Sequence, residues 1–295
     1  MFYQEILEKD QKHLIKGDVL LTDSEIRDIL KLNEKFKKFL LVLNVCGVVD
    51  LTPVNEVSNI LLLSQLGVVT GDILADIILG KANPSGKLST SWASIKDYKF
   101  INDFAQLDDV RYKEGIYVGY RYFNSANIKP LYPFGFGKSY TDFEIKKISL
   151  NNNKDEIIIN VKIKNIGKFV GKEVVQIYIS PPQTNKDKPY QSLVAFKKTK
   201  LLNPKEEDEL TLNFILKNSA RFDEEKASYI LDNGNYIIRV GNSSDKTNIL
   251  GVINLSEDII TEKLKNIGGK SDFEDLKLLI EYKDDLTKIE TIKLT

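Results

Sequence analysis

The apolar residues of this chain change their period part-way along, and that change constrains the fold more than any other feature. Residues 39–45 (FLLVLNV) and 59–65 (NILLLSQ) are apolar on both faces, the pattern of strands buried in a parallel sheet. From Phe143 onward the period is two. EIIINVKIKNIG, EVVQIYIS, SLVAFKKTKLL, DELTLNFIL and GNYIIRVG alternate between turn-forming residues, as strands of an antiparallel sandwich do. An α/β portion followed by an all-β portion is therefore expected, with the all-β domain at residues 143–255. Asn165-Ile166-Gly167 and Asp232-Asn233-Gly234 read as hairpin turns. Residues 256–295 are charged, with a weak helical pattern around 273–280, and read as a linker or trailing arm.

Helices frame the two apolar runs. Thr22 followed by Glu25 has the spacing of a capping box, in which hydroxyl and carboxylate satisfy orphan N–H groups. Ile26, Ile29, Leu30 and Phe36 then mark one helix face, and the lysines after it suit the negative helix end. A second helix presents Ile73, Leu74, Ile77 and Ile78 and stops at Gly80. Two doubly buried strands need covers on both faces and partners at both edges. The first 142 residues supply about two helices, so they read as a partial domain.

Composition excludes several functions. Lysine and arginine total 42 against 42 acidic residues, which argues against nucleic-acid or anionic-membrane partners. A single cysteine, Cys46, rules out an internal disulfide and suits a reducing compartment, so the cytoplasm is the expected location. Cys46 follows a buried strand and reads as an inert apolar residue. His13 is the one histidine; with no ligand neighbour it implies neither a metal site nor a catalytic triad. No cofactor is expected: GKANPSG places Lys87 after a turn, with no Gly-Lys-Ser/Thr opening a helix to bind phosphate.

Between the two portions lies the most patterned stretch, GDILADIILGKANPSGKLSTSW, then YKEGIYVGYRYF and YPFGFGKSYTDF. Its rings, among them Tyr117, Tyr120, Tyr122, Phe123, Phe134 and Phe136, read first as a packing layer and second as platforms for sugar rings. Asp76 reads as a helix-surface residue, and Glu114, Arg121 and Tyr122 as structural anchors.

In that order these motifs resemble the family 3 glycoside hydrolases of β-glucosidase type. KNIGKFVGKEVVQIYIS and LDNGNYIIRVGNSS resemble the family's fibronectin type III-like domain, and LSEDIITEKLKN resembles the connector in members whose barrel follows the sandwich. The resemblance implies a partial flavodoxin-like α/β sandwich over residues 1–142 and hydrolysis of O-glycosyl bonds in β-linked sugars. Members use two carboxyl groups, an Asp nucleophile on a (β/α)8 barrel and a Glu acid/base on the α/β sandwich. No segment here has the length of that barrel, so the chain alone is expected to lack turnover. Counting back from Lys16-Gly17-Asp18 puts Glu8 over the family's acid/base glutamate, although the flanking glycines, aspartate and arginine of that motif are replaced. Gly67-Val68-Val69-Thr70-Gly71 likewise departs from the family's Gly-Gln-Glu-Gly-Gly. The implied partners are a β-linked saccharide, bound through the barrel, and a separately encoded barrel polypeptide. The alternative is a non-catalytic accessory or carbohydrate-binding module.

Overall fold

The computed structural model describes residues 16–100, 111–153, 155–184, 186–268, 273–278, 280 and 284–294. They form two compact units. The described residues within 1–82, 90–114 and 129–133 make up the first, and those within 83–89, 115–128 and 134–295 the second.

The first unit is α/β. Its helix α1 (Asp23–Lys35) begins with the expected capping box: the Thr22 hydroxyl accepts from the Glu25 N–H, and the Glu25 carboxylate accepts from the Thr22 N–H at 2.8 Å. Ile29 is buried, whereas Phe36 lies past the helix end and is about half exposed. Strand β1 (Leu41–Leu43) pairs in parallel with β2 (Ile60–Leu62). Both strands fall inside the apolar runs, but they are not equally covered. Leu41 and Leu43 are buried, while all three residues of β2 are only half-buried. Helix α2 (Thr70–Ile78) buries none of its residues, and Val68, Val69, Ile78 and Leu79 around it are exposed. Continuous hydrophobicity anticipates burial on both faces, and these described residues supply too few neighbours to provide it. Behind β1, the buried Asp50 ties three loop groups together. Its carboxylate accepts from the N–H of Thr52 at 2.9 Å, the N–H of Ile95 at 2.9 Å and the Ser94 hydroxyl at 3.3 Å. Burial pushes the Asp50 pKa up, but those hydrogen bonds outweigh it and hold the carboxyl below its ordinary value.

The second unit is a β-sandwich with one short helix, Tyr120–Ser125, around one apolar core. Its strands are β3 (Phe143–Asn153), β4 (Glu156–Asn165), β5 (Val174–Ser180), β6 (Ser192–Lys198), β7 (Glu207–Ile215), β8 (Arg221–Asp223), β9 (Ser228–Leu231), β10 (Gly234–Ser243), β11 (Lys246–Leu255), β12 (Ile259–Lys263) and β13 (Thr291–Leu294). They form a five-stranded sheet in the order β13-β11-β10-β5-β6 and three-stranded sheets β3-β4-β7 and β12-β9-β8. On β4 the alternation is complete: Ile157, Ile159, Val161 and Ile163 enter the core, with half-exposed residues between them. Facing them in that core are Val175, Ile177 and Ile179 of β5 and Tyr236 and Ile238 of β10.

Two expected hairpins are crossovers instead. Asn165 ends β4, and β5 belongs to a different sheet, as β9 and β10 do on either side of Asp232-Asn233-Gly234. The fully buried Asn165 explains the first. Its amide donates to the carbonyls of Phe169 at 2.8 Å and Leu202 at 2.9 Å, and its oxygen accepts from the Thr141 hydroxyl at 2.7 Å. Those bonds hold the chain on a course out of the sheet rather than back along it. Residues 256–295 also contribute regular structure, since β12 joins β9 and β13 joins β11 in parallel. The described residues around 273–280 are not helical.

Replacing Ile159, which is fully buried, by alanine removes three carbons from the centre of this core. The expected cost is about 2–5 kcal/mol, read from the urea midpoint of the sandwich; a loss well below that range would mean the two sheets close over the gap.

Candidate functional site

The parts of the patterned stretch that belong to the second unit fold as an interlock within it. Residues 83–89 and 134–142 run alongside each other: the Leu88 N–H donates to the Phe136 carbonyl at 2.8 Å, and the Gly135 N–H donates to the Leu88 carbonyl at 2.8 Å. Asn83 fastens one end. Its amide donates to the Val170 carbonyl at 2.9 Å, and its oxygen accepts from the Ser139 hydroxyl at 3.1 Å and the Tyr140 N–H at 3.0 Å. Lys87 fastens the other, donating to the Gly137 carbonyl at 2.9 Å and pairing with Glu173 at 2.7 Å, both side chains largely buried. The alternating glycines now have a cause. A Cβ on Gly137 would press on the Gly86 carbonyl, and Gly135, at φ +79°, lies against the Gln176 side chain.

The rings of this stretch pack. Tyr117 and Phe123 are buried, Tyr120 stacks on Phe134 with centroids 4.6 Å apart, and its edge meets Tyr178 at 5.9 Å. The Tyr120 hydroxyl accepts from the Leu193 N–H at 2.8 Å. This layer covers the outer face of β5, where Tyr178 donates to Gln176 at 2.5 Å and Gln176 donates to the Asn242 carbonyl at 2.8 Å. Burial pushes the Tyr178 phenol far above its ordinary value, so its proton stays in place. Tyr122 packs edge-on to Phe123, and the Arg121 guanidinium stands 6.0 Å from the Tyr120 ring.

A second cluster had no signal in the sequence. Asp232, buried, receives Arg221 through two nitrogens at 2.9 Å and Lys188 at 2.7 Å, while Arg221 also reaches Asp223 at 2.9 Å. Lys188 further donates to the Pro182 carbonyl at 2.8 Å. These residues come from three separate places in the chain, and only Asp232 belongs to a motif, the LDNGNYIIRVGNSS run. Burial raises the Asp232 pKa, but the bonds from Arg221 and Lys188 prevail and hold it below the ordinary aspartate value. Burial, countered by the Asp232 bond, pulls Lys188 below the ordinary lysine value. The charges balance, two against two, and every one has a partner, so the cluster is built to hold loops together rather than to transfer protons.

Glu8 and His13 lie outside the described residues. Cys46 is exposed, not buried, and lies in the bend that follows the buried Val45. Asp76 sits on the exposed surface of α2, 3.8 Å from Lys81. Val68 is wholly exposed in the loop that departs from the family pattern. Among the described residues, no group of three or more His, Cys, Asp or Glu side chains is placed to hold a metal ion, and no helix is long and apolar enough to cross a membrane.

Residues 16–140 match the family model of the glycosyl hydrolase family 3 C-terminal domain, and residues 173–244 that of the fibronectin type III-like domain. The chain belongs to glycoside hydrolase family 3. It is 37% identical to β-glucosidase A of Butyrivibrio fibrisolvens over 89% of its own length and 35% of the relative's. Against a β-glucosidase of Ruminococcus albus it is 38% identical, over 70% of this chain and 22% of the other. A crystal structure of a β-glucosidase from Paenibacillus barengoltzii superimposes with a TM-score of 0.82 at 33% identity, over 88% of this chain and 30% of that one. β-Glucosidase 3B from Thermotoga neapolitana, in complex with α-D-glucose, gives 0.77 at 36% identity, over 83% and 35%. The family 3 chain thus spans about a third or less of these relatives' length.

Two outcomes follow from the clusters. Lys87→Met leaves Glu173 buried without its cation and should cost about 3–5 kcal/mol in denaturant unfolding, while Lys87→Met combined with Glu173→Leu should recover most of the loss. Asp232, with its depressed folded pKa, stabilises the fold above its unfolded value of 3.8, and that contribution is lost as pH falls through the folded value. Asp232→Asn should therefore be less stable at neutral pH and show a flatter stability decline below pH ~4; equal acid slopes for the two proteins would remove this cluster from the acid response.

Proposed function

We propose that this chain is the part of a retaining β-glucosidase-type enzyme that works beside a (β/α)8 barrel, with no turnover of its own. The observation that carries the reading is the succession of the two family domains along one chain at 37% identity to a β-glucosidase. Retaining hydrolysis needs two carboxyl groups about 5–5.5 Å apart with pKa values pushed apart. In the family one is an aspartate on the barrel, which attacks the anomeric carbon. These 295 residues include no such barrel. The other protonates the departing glycosidic oxygen and then activates water, a role that falls to Glu8 by position. The interlocked stretch supplies no acid, base or nucleophile; its groups are spent on one another, which suits a scaffold.

A second reading is an accessory module completed by a separately encoded barrel polypeptide. The half-buried β2 and the exposed apolar residues of α2 favour it, because a surface of that kind is ordinarily covered.

The assay is release of nitrophenol from a nitrophenyl β-glucoside. The isolated chain is expected to give no release above buffer, and measurable turnover would refute the proposal. Activity that appears only on mixing with a barrel polypeptide is the outcome expected of the second reading; if Glu8→Gln abolishes that activity without weakening association, the chain supplies the acid/base and is no mere accessory, and unchanged activity in Glu8→Gln removes Glu8 from the chemistry.

A further inference from the structure

At one end of the sandwich β4 and β6 finish and β3, β5 and β7 begin. The connections there are tied to one another. Asn165 bonds the carbonyls of Phe169 and Leu202, and Gly171 and Leu202 exchange backbone bonds at 3.1 and 2.9 Å. The Ile166 N–H donates to the Asp142 carbonyl at 2.8 Å, and Asn83 joins the Val170 carbonyl to the Tyr140 N–H. Five large apolar side chains are brought to this end, and none of them belongs to the core. Tyr140 is 60% exposed, Phe169 59%, Leu201 57%, Ile166 56% and Val170 38%. An apolar side chain exposed singly is ordinary, whereas a neighbouring group of them marks a surface that meets something.

The charges interspersed with this group are mostly of one sign. Lys138, Lys168 and Lys198 are exposed and Lys172 is half-buried, and the described residues place no carboxylate within ion-pair distance of these four. Elsewhere on the sandwich lysines face carboxylates: Lys162 and Lys164 meet Glu207, Lys146 meets Glu144 and Lys147 meets Glu290. At this end the carboxylates are already engaged. Glu173 is held by Lys87, Glu206 by the Lys200 ammonium, and Asp208 by the Lys200 N–H at 3.0 Å. Asp142, exposed beside Ile166, offsets one lysine. Lys198 registers the surplus: burial, then the charges of Lys172 and Lys87, pull it below the ordinary lysine value. The neutral total of the whole chain, which argued against an anionic membrane, conceals this local excess, and the local field is what a partner meets.

The composition of the patch selects its occupant. Lysine is depleted in protein interfaces, and a second copy of the chain would set these lysines against one another. An anionic bilayer surface suits both kinds of side chain: lysines meet the headgroups, while rings and aliphatic groups enter the boundary with the acyl chains. We propose that this end of the sandwich is a peripheral docking surface for anionic lipid membrane. The juxtaposition that carries it is Tyr140, Phe169, Val170 and Leu201 beside the unmatched Lys138, Lys168, Lys172 and Lys198. This surface is separate from the hydrolytic role proposed above and does not depend on it.

Co-sedimentation of the full chain with lipid vesicles tests it. Binding is expected to vesicles of phosphatidylcholine and phosphatidylserine in equal parts, and at least about tenfold weaker binding to phosphatidylcholine alone. Phe169→Asp, and separately Lys168→Glu combined with Lys172→Glu, should each weaken binding to the mixed vesicles at least about tenfold. Their urea midpoints should match the parent's, because these three side chains lie outside the core; should Phe169→Asp not fold, the lysine pair decides. Phe222→Asp, at an exposed ring of β8, is expected to bind like the parent. A parent that ignores the mixed vesicles overturns the proposal, as does undiminished binding in the lysine pair. Self-association of the parent that Phe169→Asp abolishes, without vesicle binding, would assign the patch to a second copy and overturns it as well.

Discussion

Strands β5 and β10 are buried on both faces, and each face needs its own cover. On the inner face Ile157, Ile159, Val161 and Ile163 of β4 and Leu210, Leu212 and Phe214 of β7 provide it, as in any antiparallel sandwich. On the outer face the chain must supply something else, because Gln176, Tyr178, Ser180 and Arg239 point there and are buried. The rings of Tyr120 and Phe134 meet this need, together with Asp284 from the tail. A polar group enclosed in this way is stable only when each donor and acceptor is matched. That requirement accounts for the ordered series of bonds from Tyr178 to Gln176 to Asn242, and from Ser180 to Arg239 to Asp284.

The same requirement explains why the most patterned stretch carries no chemistry. Asn83, Lys87, Gly135 and Gly137 are restricted by their neighbours: an amide that must reach two backbone groups and a serine hydroxyl, a lysine that must neutralise Glu173, and two glycines approached too closely to carry a side chain. Such residues are as specific to their positions as catalytic ones. Pattern in a sequence reports constraint, and here the constraint is packing.

Much of the architecture could be read from residue spacing because the underlying forces are local. The period-two burial of Ile157, Ile159, Val161 and Ile163 follows from the pleat, and the Thr22–Glu25 cap from two residues three apart. The domains themselves were recognisable through motifs rather than physics. What escaped was non-local. Arg221, Asp223, Asp232 and Lys188 meet only after folding, and each alone looks like a solvated charge. Asn165-Ile166-Gly167 has hairpin residues, yet Thr141 and Leu202, distant in sequence, redirect it. β2 is shallower than its apolar composition suggests for the related reason that composition reports what a strand would bury, not which neighbours are there. The candidate acid/base is the poorest case: Glu8 was placed by counting from a motif, and no physical feature of its own marks it.

The chain passes between its two units five times, at 82/83, 89/90, 114/115, 128/129 and 133/134. A polypeptide threaded in this way cannot be divided by one cut into two pieces that each keep all their own residues. For a gene, this means that the sandwich does not travel alone: a break at 82/83 carries segments 90–114 and 129–133 of the first unit along with it, and a break anywhere from there to residue 133 strips the sandwich of part of its own cover. The two units are bound to a common inheritance by connectivity, whatever the strength of the forces between them.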